Sequence, residues 1–397
     1  MTVARLRIAV RRFDPFERAI ARQFADFVAT SGAAAEVEIV AMELNPLHAT
    51  LFAERGLADG QFDIAFLNTD WLAEAQAGGL IEDLTPWLAR APVADFPEGW
   101  SPSLLGLQRF AGGFWGMPYH DGPECLIYRR DLLDRAGLPV PTTWDDFHAV
   151  ARALDDPAAG ISGTVLALFP DGHNGFYDFC IHIWSRGGAP FDAEGRPCFT
   201  GPAAEGALDF LRTLAADRGA TPADVAALDS VAAGLRFCEG RVAMMANWFG
   251  FAALGEAADS PVRGLIDVAP LPAGPGGESL SLNVFWVLAL AAGSRHKALA
   301  WDFMRHCAGA AMDRITTDEG AIGVRRSTWA DPAVNAVIPY AHRLDWLHAH
   351  ARHIPVRPDI AAISAIVDAM IGAAIATDRP TPELLAAAQA RVEALAC

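Results

Sequence analysis

Four short stretches set an aromatic ring directly beside a polar side chain: Asp70-Trp71, Tyr119-His120-Asp121, Tyr177-Asp178 and Asn247-Trp248. Aromatic faces cover apolar C–H surface, and carboxylates, amides, imidazoles and guanidinium groups make charge-assisted or neutral hydrogen bonds to hydroxyls. Together they suit a site for a small molecule with C–H faces and a ring of hydroxyls, as in a sugar. Each residue also has a plainer use. Trp71 and Trp248 would serve equally as core tryptophans. Asp70 is placed to cap a helix opening at Trp71-Leu-Ala-Glu74, a role compatible with ligand contact. Arg11 and Arg12 would form surface ion pairs, or one of them would meet a ligand, which would then be an acidic sugar.

The segment Pro170-Asp-Gly-His-Asn-Gly-Phe-Tyr-Asp-Phe179 carries the densest chemistry. His120 and Asp121 with Asp171 and His173 supply two imidazoles and two carboxylates, the donor types of a metal site. A metal-assisted hydrolase or lyase acting on a sugar is therefore the alternative function. Against it, no local ligand spacing supports a metal, and hydrogen bonding to hydroxyls is the simpler use of the four. The sequence contains no G-x-S-x-G elbow, no H-E-x-x-H, no phosphate-cradling G-x-x-x-x-G-K and no G-x-G-x-x-G after a strand. His348, His350 and His353 fall on a predicted helix where residues two apart diverge, so they read as a solvated or packing face.

These residues need elements to hold them. Leu6–Val10, Val37–Met42 and Asp63–Leu67 read as strands, and Asp14–Val28 as a helix with Phe16, Ile20, Phe24 and Phe27 on one side. Helical patterns between the strands imply a parallel sheet with crossover helices. Ligands collect beyond the carboxyl ends of such strands, which points at Arg11-Arg12-Phe13-Asp14 and Asn68-Thr69-Asp70-Trp71. After a Pro-rich connection, Thr142 or Thr143 caps a helix starting near Trp144. Val242–Ala246 and Leu282–Leu290 read as two further strands, and Ile360–Ala376 as an amphipathic helix.

At 397 residues the chain is long enough for two lobes. Its apolar share of 52% against 20% charged residues supplies buried cores, and the net charge of −17 opposes nucleic acid and anionic membranes. The six cysteines form no C-x-x-C pair or zinc spacing and are expected as buried thiols. The apolar run Val284–Ala292 is too short to span a bilayer. Met1–Val10 carries arginines and leads straight into a strand pattern without the signal-peptide signature, so either a leader has been removed or the protein is not exported by that route and a cytoplasmic location stays open.

Four stretches in order resemble the extracellular solute-binding proteins of ABC importers, in the carbohydrate-type, maltose-binding-protein-like group (family 1). Gly60-Gln-Phe-Asp-Ile-Ala-Phe-Leu-Asn-Thr-Asp-Trp-Leu72, running on to Leu84, is similar to the family's third strand, ligand loop and helix. Gly116-Met-Pro-Tyr-His-Asp-Gly-Pro-Glu-Cys-Leu-Ile-Tyr-Arg-Arg-Asp-Leu-Leu133 resembles its crossing between lobes. Phe237-Cys-Glu-Gly-Arg-Val-Ala-Met-Met-Ala-Asn-Trp248 matches F-x-x-G-x-x-A-M-x-x-x-x-W with a shortened gap, and Ser281-Leu-Asn-Val-Phe-Trp286 with Ser294–Phe303 completes the set.

The resemblance implies an α/β, periplasmic-binding-protein-like fold: two α/β lobes joined by a multi-segment hinge, with the ligand cleft between them. Residues 1–116 with 265–312 would form the N-terminal lobe, and 117–264 with 313–397 the C-terminal lobe. It implies ligand contacts from Arg12, Phe13, Asp70 and Trp71, with His120 and Asp121 beside them. Gly122 stands where maltose-binding members carry a ligand-contacting glutamate, which passes that contact to Asp121 or Glu124. His173, Tyr177, Asp178, Asn247, Trp248, Asn283 and Arg325 complete the expected set, Tyr177 and Trp248 as stacking rings. The expected function is capture of a sugar, sugar acid or polyol without chemistry and delivery to a membrane permease. The expected protein is a monomer, periplasmic or extracellular, with no cofactor, metal or nucleic-acid partner.

Overall fold

The structure, a computed structural model, describes residues 3–396. The chain divides into two compact units, one of Met1–Gly122, Val284–Ala349 and Val356–Pro358, the other of Pro123–Asn283, His350–Pro355 and Asp359–Cys397.

The first unit is built on a five-stranded sheet in the order Ala35–Met42, Ala4–Arg11, Ile64–Asn68, Trp286–Leu290, Met117–His120. The first three strands run parallel, as the strand–helix alternation predicts, and Trp286–Leu290 lies antiparallel to both its neighbours. The helix Asp14–Ser31 begins with Pro15 in its first turn and stops at Gly32, whose left-handed φ of 69° lets its N–H reach the Val28 carbonyl. The predicted stripe of Phe16, Ile20, Phe24 and Phe27 is buried, with Phe16 against Phe66 and Phe24 against Phe303.

The second unit carries a three-stranded antiparallel sheet in the order Met244–Trp248, Glu124–Arg129, Ile266–Ala269, with Glu124 opposite Trp248. Thr143 caps the helix Trp144–Leu154 through the Asp146 N–H. The helix Asn174–Trp184 is buried along its whole length. Arg212 joins the helices Pro202–Ala216, Ile360–Ala376 and Thr381–Glu393 by donating to the Ala374 and Arg379 carbonyls and to Thr381.

All three expected boundaries move, the first from 116 to 122. Residues 265–283 sit in the second unit, because Ile266–Ala269 pairs with Glu124–Arg129 and Ser281–Leu282 pairs with Ala351–Arg352. The run expected as one strand, Leu282–Leu290, is thus two, and the division of the chain falls inside it. Residues 313–349 sit in the first unit instead: buried Gln23 donates to the Met312 carbonyl and to Thr316, and receives the Tyr119 hydroxyl. Cys125, Cys180, Cys238 and Cys307 are buried and Cys198 is half-buried; Cys397 and Met1 lie outside the described residues. Among the described residues, no helix is long and apolar enough to cross a membrane.

Candidate functional site

In the first unit the candidate residues gather at strand ends. Arg11 is buried and paired with Glu43, just beyond the second strand. Arg12 is exposed, donates to the Ala41 carbonyl at 3.1 Å and lies 3.8 Å from the same Glu43 carboxylate. One acid therefore draws on both guanidinium groups. Half-buried Phe13 meets Phe16 edge-on at 5.1 Å. The helix cap expected of Asp70 belongs to Asn68, whose Oδ1 accepts the Asp70 N–H at 3.2 Å. Asn68 wins because it sits two residues ahead of the N–H that needs an acceptor, in extended backbone.

Trp71 lies in an aromatic nest, edge-on to His48 at 5.0 Å, Trp286 at 5.9 Å and Phe52 at 6.1 Å, with 7% of its surface exposed. His48 is held in turn by Glu74, 2.9 Å away. His120 packs edge-on against Phe16 at 4.8 Å, and its Nδ1 accepts the Ile322 N–H at 2.9 Å. Burial lowers its pKa to about 4, against an opposing pull from Asp121, so the ring is neutral.

Two expected contacts are occupied by the protein itself. The Asp121 carboxylate is turned inward, its Oδ2 2.5 Å from His348 Nε2, with both side chains essentially buried. His348, expected on a solvated or packing face, is in the core, stacked on Trp329 at 5.0 Å and 3.4 Å from Ser103. Arg325 is 2% exposed; it donates to the Ala308 and Ala94 carbonyls and to Asp95, and lies 4.4 Å over Trp100. Its two terminal nitrogens are committed to chain segments far apart in sequence, a structural use that a local reading of Arg325-Arg326 misses.

In the second unit His173, Tyr177 and Trp248 converge. Trp248, half-buried at a strand end, meets Tyr177 edge-on at 6.0 Å and His173 at 5.5 Å; His173 and Tyr177 pack edge-on at 4.7 Å. Asn174, not singled out by sequence, links this cluster to the acids. Its Oδ1 accepts the Trp248 indole N–H at 3.0 Å and its Nδ2 donates to Glu124 Oε1 at 3.3 Å. The signal was present as an amide opening a buried, largely apolar helix beside His173.

Glu124 has no exposed surface, and the Asp178 carboxyl is its acidic neighbour. Burial and the neighbouring Asp178 push the Glu124 pKa well above the usual carboxyl range. Asp178 is pushed up to about 7 by burial, with Asp368 adding repulsion and the Glu124 hydrogen bond pulling back. Asp368, raised by burial to about 6, accepts the Gly172 N–H at 2.7 Å. Its carboxylate leaves room only for glycine at 175, where a Cβ would lie 2.7 Å from Oδ1.

Asn247 points into the core, donating to the Ser230 carbonyl at 3.2 Å while its Oδ1 accepts the Trp248 N–H, so it fixes the tryptophan's backbone. Buried Asn283 donates its backbone N–H to the Arg352 carbonyl at 2.6 Å. Asp171 accepts the His173 N–H at 3.1 Å. Among the described residues, no group of three or more His, Cys, Asp or Glu side chains is arranged to hold a metal, and the His120, Asp121, Asp171 and His173 set divides between the two units.

The family model described as "Bacterial extracellular solute-binding protein" matches residues 46–313. A probable ABC transporter-binding protein of Deinococcus radiodurans is 29% identical over 214 residues, 53% of this chain; the chain spans 50% of that relative's length. A mannitol-binding protein of Pseudomonas aeruginosa is 25% identical over 379 residues, covering 88% of this chain and 84% of that protein. Among solved structures, maltose-bound T. maritima MalE3 superposes with a TM-score of 0.90 at 23% identity, covering 99% of this chain and all of that one, so the fold is the same.

Proposed function

Because this chain belongs to the bacterial extracellular solute-binding proteins, we propose that it captures a small, uncharged, polyhydroxylated solute, a sugar or a polyol, and passes it to the permease of an ABC transporter. The observation that carries this reading is the cluster in the second unit. One stacking ring, Trp248, is braced by Tyr177 and His173 and tied through Asn174 to the Glu124–Asp178 carboxyl pair. A ring face beside hydroxyl-seeking acceptors fits a molecule that alternates C–H and O–H.

The first unit offers a second set, Phe13, Asp70, Trp71 and His120, at the carboxyl ends of its strands, where ligands of α/β sheets collect. The P. aeruginosa relative, a mannitol-binding protein, supports a polyol among the candidate ligands. The protein would work as a monomer outside the cytoplasmic membrane.

The test is a thermal-shift screen of sugars, sugar acids, polyols, amino acids and divalent metals. A ligand that binds only the folded state raises the melting temperature, by roughly 2.7 kcal/mol of added stability at a hundred times its Kd. The reading expects shifts from sugars or polyols. Shifts from amino acids or metals alone would overturn it.

A further inference from the structure

The aromatic nest around Trp71 continues into Trp286, a ring not among those expected to meet a ligand. Trp286 opens the strand Trp286–Leu290, with Asn68 and His120 opposite it on the two neighbouring strands. Residues directly opposite across a sheet share a face, so Trp286 stands with Asn68 and His120 at the strand ends where the first unit's candidate residues gather. The Phe285 carbonyl accepts the Thr69 N–H at 3.0 Å, and the Phe285 N–H donates to Thr69 Oγ1 at 3.4 Å. These bonds fasten the backbone ahead of Trp286 to the loop that carries Asp70 and Trp71. Trp286 is half-buried, whereas the rings packed on it, Trp71 at 5.9 Å, Phe16 at 6.3 Å and Phe66 at 6.5 Å, are buried. Of the four, Trp286 is the ring with accessible surface to offer.

Behind these rings lies a brace. His48 and Phe52 stand four residues apart at the end of the helix Leu44–Leu51, so their rings leave the same face of it, stacked at 4.4 Å. Glu74 lies three residues beyond Trp71, in the helix Leu72–Ala77. The 2.9 Å contact between Glu74 Oε2 and His48 Nε2 therefore joins the helix before Trp71 to the helix after it, and it holds the imidazole edge-on to Trp71, which in turn meets Trp286 edge-on. Both members of the pair are part-exposed, a setting in which such a contact adds little to stability. Its effect is on where the rings stand.

We infer that Trp286 is a further solute-contacting ring of the first unit, and that Glu74 and His48 are positioning residues that fix it through Trp71. This inference rests on the sugar or polyol reading. A side chain that must be ordered when solute arrives subtracts that ordering from the affinity, and a ring held in place beforehand does not. Cutting the brace leaves the fold standing and loosens both indoles.

The experiment has two arms on the full chain. In the first, with no solute present, the indole ¹H–¹⁵N resonances of Trp71 and Trp286, identified among the eleven tryptophans with W71F and W286F, are compared in wild type, E74A and H48L. Alanine suits a helix, so E74A should stay folded. Both resonances should move in each variant; resonances unmoved in both would overturn the brace whatever the protein binds. In the second arm, calorimetry measures D-mannitol, ribitol and maltose on wild type, W286A, E74A, H48L and E74Q. For a ligand that binds wild type, W286A should lose about tenfold or more, and E74A and H48L about threefold to tenfold. E74Q, whose amide can still reach His48, should recover part of the E74A loss. The same ligand should shift the wild-type Trp286 resonance. Wild-type affinity in W286A, or an E74A that melts lower yet binds as tightly as wild type, would overturn the inference. If none of the three ligands binds wild type while the first arm gives the expected shifts, the sugar or polyol reading fails, and the solute contact with it, while the brace stands.

Discussion

Asp121 and His348 approach to 2.5 Å between Oδ2 and Nε2, in a setting where neither side chain retains more than 1% exposure. Asp121 stands one residue before the chain leaves the first unit after Gly122, and His348 one residue before it leaves again after Ala349. The pair therefore ties together two segments of the first unit that sequence sets far apart. Removing one partner leaves the other buried and uncompensated, a loss of about 3–5 kcal/mol. Asp121→Asn and His348→Gln should each lower the urea midpoint, and the double variant should cost less than the sum of the two. Additive losses would show that the two side chains are not coupled.

Arg325→Lys tests whether this guanidinium is structural. A lysine cannot satisfy the Ala308 and Ala94 carbonyls and Asp95 together while lying over Trp100. The expected loss is about 2–3 kcal/mol, from several forfeited hydrogen bonds, read by chemical denaturation. Solute affinity should stay within twofold. A large loss of affinity with unchanged stability would return Arg325 to the binding site.

The buried acids give a pH dependence with a definite sign. Asp368, raised to about 6 from a reference of 3.8, binds its proton more tightly in the folded than in the unfolded chain. The native state then holds the extra proton between about pH 4 and 6, and stability falls as pH rises through that window. Asp368→Asn should accordingly raise the melting temperature at pH 8 more than at pH 4. His120 acts oppositely: its value is depressed to about 4, so the stability it contributes is lost as pH falls from about 6.5 towards 4. His120→Gln should relieve acid destabilisation. Melting curves at pH 4, 6 and 8 check both signs, and parallel shifts across all three would refute them.

Trp248→Ala should weaken solute binding by tenfold or more, since a stacking face beyond its area contributes about 0.5–1.5 kcal/mol and the hydrophobic surface adds to it. Trp248→Phe should recover part of the stacking but not the indole bond to Asn174. Calorimetric Kd values decide the order, wild type tighter than Phe and Phe tighter than Ala; three equal affinities would remove Trp248 from the site.

Much of this architecture is local in origin and so was readable in advance. The Phe16, Ile20, Phe24 and Phe27 stripe and the Thr143 cap follow from spacing or from adjacent residue types. What sequence could not show is where a polar side chain turns. Asp121, Asn247 and Arg325 sit where ligand contacts were expected, but each finds partners inside the fold from remote segments. Asn174 was hidden for the converse reason: its importance lies in two partners, at positions 124 and 248, that only the antiparallel pairing of their strands brings together. The break at 283–285 was equally invisible, because each half of that run is strand-like and only the pairing partners differ.

The most direct measurement is an equilibrium titration of the purified chain with neutral sugars and polyols, followed by recovery of the ligand and its analysis by mass spectrometry. The account predicts saturable binding of one molecule per chain and recovery of that molecule chemically unchanged. A recovered product, or no binding by any polyhydroxylated compound where another solute class saturates the protein, would contradict it.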